Sequence, residues 1–296
     1  MVNELNAGGE WSIGIYASLS SAPLKFSGEN IANPVLTAKD VSDVPANFVA
    51  DPFLVHDNGA WFMFLEVIND TAEPGRPQLR YPYKGAIGLA ESKDGLDWSY
   101  RQIVLDEPFH LSYPYVFQWK GEYYMIPETY QTCSVRLYKA ASFPYTWVFV
   151  ETLISGKPFV DSSILRYGDM WFIFTSTMPR NDTLSLYYAT ELTGPWTEHP
   201  ASPIIEGDAH IARPGGRITI FDGRIIRFAQ DDDPTYGNQV WAFEITKLTP
   251  EVYEEQLADK NPILKGTGSG WNADGMHHID PCQVNNKWIA SVDGFR

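Results

Sequence analysis

The chain has 296 residues, of which 14% are aromatic, with 23 Gly, 21 Pro and a formal net charge of −15. This composition is typical of a folded protein and excludes a disordered chain. The acidic balance disfavours nucleic acids and anionic membrane surfaces as partners, because both repel negative charge.

The N-terminal segment is predicted to supply two strands, at residues 13–18 and 34–37. It lacks the basic and apolar regions of a signal peptide, and no later apolar run reaches the roughly 18 residues of a membrane-spanning helix. We therefore expect a cytoplasmic protein without membrane insertion. The two cysteines, Cys133 and Cys282, lie far apart without metal-ligand spacing, which disfavours a disulfide framework or a zinc site.

From residue 51 onward, a hairpin of similar pattern recurs five times. Each hairpin opens with a short apolar strand, turns at Gly, Asp or Asn, and in most units returns as an aromatic-rich strand. Their spacing of roughly 50–70 residues suits a four-stranded propeller blade with its loops. The hairpins begin at Asp51, Tyr113, Asp161, Arg213 and Asp280. Third strands follow the first four hairpins, at residues 87–90, 137–140, 186–189 and 240–243.

Helical periodicity is scarce in this sequence. The best candidate is residues 249–257, where Thr249 can cap, Pro250 occupies the first helical position and acidic residues follow. One short helix is predicted there. The glycine-rich run at residues 266–270 lacks the Lys-Ser/Thr of a phosphate-binding loop and is predicted to be a flexible loop.

The fifth hairpin has only two strands, and the N-terminal strands supply the missing pair. Residues 11–40 would then complete the fifth blade and close the ring, which removes the free edges of an open sheet. The sequence therefore predicts an all-β, five-bladed β-propeller, closed by its N-terminal strands, as a single domain over residues 1–296.

Two rings of side chains are expected to meet at one mouth of the central channel. The first strand of each blade lines the channel, and the end of the antiparallel second strand lies beside its start. The first-strand ring comprises Asp51, Tyr113, Asp161, Arg213 and Asp280. The second-strand ring comprises Glu66, Glu128, Thr175 or Ser176, Gln230 with Asp231, and Asp293.

This concentration of carboxylates is the strongest functional signal in the sequence. Crowded like charges are relieved when one carboxyl group keeps its proton near neutral pH. Glycoside cleavage needs a protonated carboxyl for the leaving oxygen and an ionised one as base or nucleophile. For any single residue, a structural role in a turn stays open as the alternative.

Two sets of motifs resemble known families. The sequence Val-Ala-Asp-Pro-Phe at residues 49–53, followed by Gly-Ala-Trp-Phe at 59–62, resembles the opening blade of five-bladed glycosidases related to family 43. A second set resembles the N-terminal domain of plant glucosamine inositolphosphorylceramide transferases and their bacterial relatives, over nearly the whole chain. It comprises residues 110–117, residues 125–128 and Phe143-Pro144 with Trp147.

The family 43 resemblance implies catalytic roles for three residues. In that family the matching Asp is the general base, a second Asp tunes the pKa, and a Glu is the general acid. The resemblance thus implies Asp51 as the base. Asp161 comes one blade late and is taken as the tuning residue. No Glu opens a later blade, so Glu128, at the mouth end of its strand, is taken as the acid, with Glu66 and Asp231 as rivals. The chain departs from the family at blade two, where Tyr113 replaces the tuning Asp.

Further residues are predicted to bind substrate or an ion. Arg213 can hold an anionic substrate group or neutralise neighbouring acids, and Tyr130 and Tyr236 can offer stacking faces to a sugar. His277 and His278 can form a hydrogen-bonded pair or, as related propellers imply, help to ligate a structural calcium ion in the channel. The predicted substrate-binding set is Glu66, His110, Tyr113, Arg213, Gln230, Asp231, His278 and Asp280.

The predicted function is that of a metal-independent glycoside hydrolase with a carbohydrate ligand, without a cofactor apart from that calcium ion. Two alternatives stay open. One is a non-catalytic carbohydrate-binding propeller associated with glycan synthesis. The other is a glycoside phosphorylase in which Arg213 and the histidines hold phosphate.

Overall fold

The computed structural model describes residues 10–19, 24–69, 84–285 and 287–296. Within these ranges, helix is limited to three single turns of 3-10 type. They lie at Ala38–Asp40, Tyr130–Thr132 and Gly270–Asn272. No helix in the described part of the chain is long and apolar enough to span a bilayer.

The strands form five antiparallel sheets that are the blades of a propeller. The chain enters with β1 (Ser12–Leu19). Blade one is β2 (Phe48–Asp57), β3 (Ala60–Asn69), β4 (Lys84–Ser92) and β5 (Ser99–Leu105). Blade two is β6 (Ser112–Trp119), β7 (Glu122–Glu128), β8 (Ser134–Ser142) and β9 (Thr146–Ser155).

The later blades have more irregular outer strands. Blade three is β10 (Phe159–Tyr167), β11 (Met170–Thr177), β12 (Thr183–Ala189), β13 (Thr197–Glu198) and β14 (Ile205–Glu206). Blade four is β15 (Arg213–Pro214), β16 (Thr219–Phe221), β17 (Arg224–Asp231), β18 (Gln239–Leu248), β19 (Tyr253–Leu257) and β20 (Leu264–Lys265). Blade five contains β21 (Ile279–Val284) and β22 (Lys287–Gly294).

The N-terminal strand completes blade five. β1 pairs with β22 along its whole length, from Ser12 opposite Gly294 to Leu19 opposite Lys287. Leu36 adds a bridge to Ile13 on the outer side of β1. The five-bladed fold and its closure by the N-terminal strands are therefore confirmed.

Two-residue turns explain several of the hairpins. A tight turn of this kind needs a left-handed backbone at both central residues, which favours Asn, Asp and Gly. Asn58 and Gly59 have φ values of 49° and 78°, and Asp222 and Gly223 have values of 50° and 81°. The turn dipeptides that mark the repeats in the sequence thus fix the register of the strands around them.

Apolar side chains fill each of the five gaps between neighbouring blades. Five buried clusters lie among the described residues, and each draws mainly on two adjacent blades. In the gap between blades five and one, Ile13 and Ile15 pack with Val49, Leu54 and Met63. The packed side chains hold neighbouring blades together. The polar site lies in the central channel that the blades surround.

The predicted helix at residues 249–257 is wrong. Thr249 caps a turn, in which its hydroxyl accepts the N–H groups of Glu251 and Val252. The chain then continues as β19, because Glu255 forms a bidentate pair with the fully buried Arg227 of β17. A threonine that can cap a helix can thus equally cap a turn, as Thr249 does here. The pairing of Glu255 with Arg227 favours an extended chain at that point.

Candidate functional site

The first strands of blades one, two and three each carry a β-bulge at the channel mouth. In each bulge two residues of the first strand face one residue of the second. The leading residue has a left-handed backbone, with φ of 50° at Asp51, 45° at Tyr113 and 48° at Asp161. A non-glycine residue in this conformation costs on the order of 1 kcal/mol, so its surroundings must hold it there.

Carboxylates hold these strained backbones across the gaps between blades. The N–H of Asp51 donates to Asp293 Oδ2 at 3.0 Å, and the N–H of Tyr113 donates to Asp51 Oδ2 at 3.2 Å. The N–H of Asp161 donates to Glu128 Oε2 at 3.2 Å. Three carboxylates of the mouth thus also join one blade to the next.

The Arg213 guanidinium lies at the centre of a charged cluster. Its Nε donates to Asp161 Oδ2 at 2.5 Å, and Gln230 Nε2 donates to the same oxygen at 2.6 Å. Its terminal nitrogens lie 3.7 Å from Glu128 Oε2 and 3.7 Å from Asp232 Oδ2. This cation offsets the negative charge of three acids that are almost entirely removed from water.

Glu66 faces His110 on the side of blade one. His110 Nδ1 accepts the N–H of Gly85 at 3.0 Å, and its Nε2 lies 3.4 Å from Glu66 Oε1. Burial lowers the pKa of His110 to about 4, so the ring is neutral and carries its proton on Nε2. His110 therefore turns a donor towards the carboxyl group of Glu66.

Burial raises the pKa of several mouth carboxyl groups. Burial, and then the repulsion of other mouth carboxylates, raises the pKa of Glu66 well above its usual value. Burial and the charge of Asp161 likewise raise the pKa of Glu128. Burial also raises the pKa of Asp51 to about 7, although the nearby His277 opposes the shift. The mouth thus combines two glutamic acids that hold their protons more tightly than free glutamic acid with an aspartate that can ionise near neutrality.

His277 and Asp293 form an ion pair under this cluster. Burial disfavours the charged ring, but Asp293 outweighs that effect and raises the pKa of His277 to about 9. His277 Nδ1 lies 2.8 Å from Asp293 Oδ1, and its Nε2 lies 3.8 Å from Asp51 Oδ1. The imidazolium therefore places a positive charge between the two carboxylates.

His278 behaves differently from its neighbour. Its Nε2 donates to the carbonyl of Pro52 at 3.1 Å, and its Nδ1 lies 3.7 Å from Asp51 Oδ1. Burial lowers the pKa of His278 to about 4. The histidine pair thus brings one charged ring and one neutral ring near the same oxygen, Oδ1, of the base candidate Asp51.

The residues around His277 do not fit the calcium ion that the sequence suggested. Asp51, His277 and Asp293 do bring ligand atoms within 4.8 Å of one another. Calcium, however, takes about six to eight oxygen ligands. Both oxygens of Asp293 already accept backbone N–H groups, and one of them also bonds His277. The protonated His277 supplies the positive charge at this position.

Tyr113 closes the channel below the mouth. Its side chain is fully buried and runs from blade two to blade four, where its hydroxyl donates to the carbonyl of Gly216 and accepts the N–H of the same residue. The hydroxyl also lies 2.8 Å from Ser163 Oγ of blade three. Tyr113, predicted to bind substrate, forms the floor of the mouth.

The structure does not bring Asp280 into the mouth cluster. Its fully buried carboxylate accepts the N–H of Leu54 and pairs with Arg217, whose guanidinium lies over Phe53 and Tyr115. This arrangement joins blades four, five and one. Both oxygens of Asp280 are therefore occupied by protein donors.

Asp231 also points away from the cluster. Its carboxylate accepts hydrogen bonds from Gln239 Nε2, Trp241 Nε1 and the N–H of Asp233, and it pairs with His210. Both carboxylate oxygens of Asp231 are thus engaged by groups outside the mouth cluster, so the geometry does not support it as the rival acid.

Asp232 takes the place at the mouth that the sequence predicted for Asp231. It lies beside Arg213 and accepts a hydrogen bond from Asn181 Nδ2 at 3.1 Å. Side chains alternate along an extended chain, so Asp232 shares the channel side with Gln230. That period of two was the signal in the sequence from which Asp232 could have been found.

Tyr236 also belongs to the mouth. Its partly exposed ring lies 5.3 Å from the Arg213 guanidinium carbon and 5.3 Å from the ring of His277. Tyr130 lies with its ring 5.5 Å from that of His110 on the opposite side. Both aromatic residues thus stand at the edge of the carboxylate cluster.

Comparison with known proteins gives relatives in plants. The family described as "Glucosamine inositolphosphorylceramide transferase 1, N-terminal" matches residues 4–295. The chain is 37% identical over 310 residues to glucosamine inositolphosphorylceramide transferase 1 of Oryza sativa subsp. japonica, and 34% identical over 311 residues to that of Arabidopsis thaliana. These alignments cover 97% of the chain but only 40% and 39% of the relatives, so the chain spans about two fifths of their length.

Solved structures of similar fold are sugar-active enzymes. A β-1,2-mannobiose phosphorylase from Listeria innocua has a TM-score of 0.65 at 13% identity, covering 95% of this chain and 96% of that one. An exo-β-1,3-galactanase from Clostridium thermocellum has a TM-score of 0.56 at 12% identity, and the alignment covers 78% of this chain and 55% of the galactanase chain. A family 117 glycoside hydrolase from Zobellia galactanivorans has a TM-score of 0.53 at 15% identity, and the alignment covers 83% of each chain. At these identities the likeness shows the fold alone.

Proposed function

The chain belongs to the N-terminal family of glucosamine inositolphosphorylceramide transferase 1, and from this premise and the acidic mouth we propose that it binds a glycan and cleaves a glycosidic bond. The observation that carries the proposal is the group of three buried carboxyls, Asp51, Glu66 and Glu128, whose pKa values are all raised. Acid–base catalysis at neutral pH needs carboxyl groups of this kind.

Glu128 and Asp51 take the two roles in this proposal. Glu128 gives its proton to the leaving glycosidic oxygen as the bond from that oxygen to the anomeric carbon breaks. Asp51 takes a proton from the water whose oxygen forms the new bond to that carbon. Asp161 contacts the Arg213 guanidinium, and its charge raises the pKa of the neighbouring Glu128, which favours the proton on that acid. Glu66, with its donor His110, is the rival acid.

The test is turnover of defined glycosides by the purified chain and by two isosteric variants. The substrates are p-nitrophenyl glycosides, β-1,2-mannobiose, β-1,3-galactotriose and arabinohexaose. Glu128→Gln and Asp51→Asn keep an oxygen that can accept the inter-blade N–H group, so both should fold. We expect each to lower kcat by about 100-fold or more with binding retained.

Glu122→Gln is the matched control for this experiment. Glu122 lies at the other end of β7 and has an exposed side chain, so its variant should keep full activity. Hydrolysis that is unaffected by both Glu128→Gln and Asp51→Asn would contradict the assigned roles. Absence of turnover on all of these glycosides would contradict the hydrolase.

A non-catalytic glycan-binding propeller is the second candidate. It is favoured by the structural use of the mouth carboxylates, since Asp51, Glu128 and Asp293 accept backbone N–H groups of neighbouring blades. It is also consistent with the transferase relatives, which are more than twice as long as this chain. Saturable binding of one of the same glycosides without any product would support this candidate over the hydrolase.

The phosphorylase alternative has weaker support in the geometry. Phosphate needs cations with free donors, whereas Arg213 already faces three carboxylates and His277 lies between Asp51 and Asp293. Turnover that depends on added inorganic phosphate would nevertheless favour it. A cytoplasmic location stays a prediction, to be checked by fractionation of cells that express the chain.

A further inference from the structure

A second cleft lies on blade five, outside the carboxylate cluster. It is lined by Ser12, Lys39, Trp271 and the pair formed by Glu10 and Arg296. Ser12 opens β1 opposite Gly294, the last residue of β22. The cleft therefore lies at the seam where the N-terminal strand closes the ring.

Glycines allow Trp271 to lie close against the blade. Gly14 and Gly294 share one face of the sheet with Ser12, because residues alternate along β1 and Ser12 pairs with Gly294. A Cβ at Gly14 would stand 2.6 Å from Trp271 Cζ2, and one at Gly294 would stand 3.1 Å from Cζ3. The six-membered part of the indole thus occupies space that side chains would otherwise fill.

The indole is also open to the cleft. Trp271 is partly exposed and lines the cleft while it packs on the core between blades four and five. Its position is fixed by the loop around it, in which Thr267 and Gly268 donate to the carbonyls of Asn272 and Ala273. The cleft therefore has a rigid aromatic wall that is held from behind.

Polar groups surround this aromatic wall. Arg296 Nη2 lies 3.1 Å from Glu10 Oε2, and both side chains are more than half exposed. Lys39 and the hydroxyl-bearing Ser12 and Thr37 line the remaining sides. An aromatic face edged by hydroxyl, ammonium, guanidinium and carboxylate groups matches a pyranose ring, which has an apolar C–H face and a hydroxylated rim.

The cleft borders the mouth through one buried residue. Trp11, the neighbour of Ser12, packs its ring 4.2 Å from that of His277 in the carboxylate cluster. Trp11 therefore lies between Ser12 of the cleft and His277 of the carboxylate cluster, so that a single residue separates the two along this side of blade five.

We propose that the cleft at Trp271 is a second sugar-binding subsite, which takes a neutral pyranose unit of the glycan whose other end occupies the mouth. The class of ligand, a sugar, is taken from the proposed function. The geometry of the cleft is independent of that proposal, because Trp271, Gly14 and Gly294 do not belong to the mouth.

The experiment follows the indole N–H signal of Trp271 in the full chain labelled with ¹⁵N-tryptophan. The probes are methyl β-galactopyranoside, methyl α-mannopyranoside and methyl β-glucopyranoside, each titrated separately. We expect at least one probe to shift this signal in a saturable way, and Glu128→Gln to leave that shift unchanged. If none of the three shifts the Trp271 signal, the inference is overturned.

Variants then measure the contribution of the indole. Trp271→Ala should weaken binding of the shifting glycoside by about tenfold, and Trp271→Phe, which keeps a ring over the glycines, should weaken it less. Trp98→Phe on blade one is the control and should have no effect. Equal affinities of Trp271→Phe, Trp271→Ala and the unaltered chain would contradict the subsite even if one variant folds poorly.

The same measurements separate the two proposals. Glycosides that shift the indole signal of Trp11, which packs against His277, but not that of Trp271 would overturn the subsite and leave the mouth as the sugar site. A saturable shift at Trp271 in a chain that hydrolyses no glycoside would support the subsite and contradict the hydrolase.

Discussion

At the scale of single residues, burial decides which acids of the mouth keep a proton. The sequence placed Asp51, Glu66, Glu128 and Asp161 together, because the repeats put them at equivalent strand ends. It could not tell which would ionise, since that depends on distances such as the 2.5 Å between Arg213 and Asp161. Likewise His277 and His278 are neighbours in sequence, yet one has its pKa raised and the other lowered.

These shifts predict how stability depends on pH. Asp51, Glu66 and Glu128 have folded pKa values above their unfolded values, so their contribution is complete below about pH 4. This stabilising contribution is lost as the pH rises through the folded pKa values, which are about 7 for Asp51 and well above the ordinary value for the two glutamates. His277 acts in the same direction, since its contribution is complete below about pH 6.5 and is lost through about 9. The free energy of unfolding should therefore fall between about pH 6 and pH 9.

Denaturant titrations at several pH values in this window measure the effect. The contribution of Asp293 to stability depends on pH in the opposite direction, because its pKa is lowered in the folded protein. That contribution is lost only as the pH falls into the acidic range. Asp51→Asn should raise the free energy of unfolding at about pH 9 by about 1 kcal/mol relative to its effect at about pH 6, because the pKa of Asp51 is raised to about 7. Glu122→Gln should show no such difference. A free energy of unfolding that rises from pH 6 to pH 9 would contradict the assigned protonation states.

At the scale of elements, strands and turns could be predicted but their irregularities could not. The prediction of a helix at residues 249–257 failed because capping residues also suit turns, and the tertiary pair of Arg227 with Glu255 decided for a strand. The bulges at Asp51, Tyr113 and Asp161 were visible only as positions where a blade begins. Their left-handed backbones depend on carboxylates from other blades, which no local pattern encodes.

The bulge of β6 directs Tyr113 across the channel, and this gives a second prediction. Tyr113→Phe would leave the N–H of Gly216 without its partner in a buried setting. We expect the variant to lose about 1–3 kcal/mol in the free energy of unfolding, measured by denaturant titration. Tyr115→Phe removes the hydroxyl that donates to the Ile164 carbonyl and is the control, with an expected loss of about 1 kcal/mol. Equal losses in both variants would contradict the role of Tyr113 as a tie between blades two and four.

At the scale of the whole molecule, the propeller and its closure followed from the sequence because repeats and turn signals are local. The fifth hairpin lacked outer strands, and the N-terminal segment contained a predicted strand without a partner. Only the pairing of that strand, β1, with β22 of the fifth hairpin remained to be inferred. The reaction could not be inferred with the same force. It depends on how several side chains from different blades converge, and Asp231 and Asp280 show that equivalent positions need not face the same cavity.

Closure of the ring can be tested by deletion. Removal of residues 1–19 takes away β1, and with it the buried side chains of Trp11, Ile13 and Ile15. Burial of such side chains stabilises a fold by about 1.5–3 kcal/mol each, and β22 would become an exposed edge. We expect thermal unfolding followed by circular dichroism to lose its cooperativity. Removal of residues 1–9 leaves β1 in place and should keep the cooperative transition; equal transitions in both deletions would contradict closure by β1.

The hydrogen bonds between blades also bear on how such a mouth can evolve. At each of the three bulges, the neighbouring carboxylate binds the backbone N–H of the leading residue rather than its side chain. This hydrogen bond therefore does not depend on which side chain the leading residue carries, and Tyr stands at position 113 where Asp stands at positions 51 and 161. A position that supplies the accepting carboxylate, such as Glu128, is constrained, because any replacement must keep an oxygen that can accept the hydrogen bond. The acids that hold the next blade are therefore the positions of this ring at which selection for new chemistry has the least freedom.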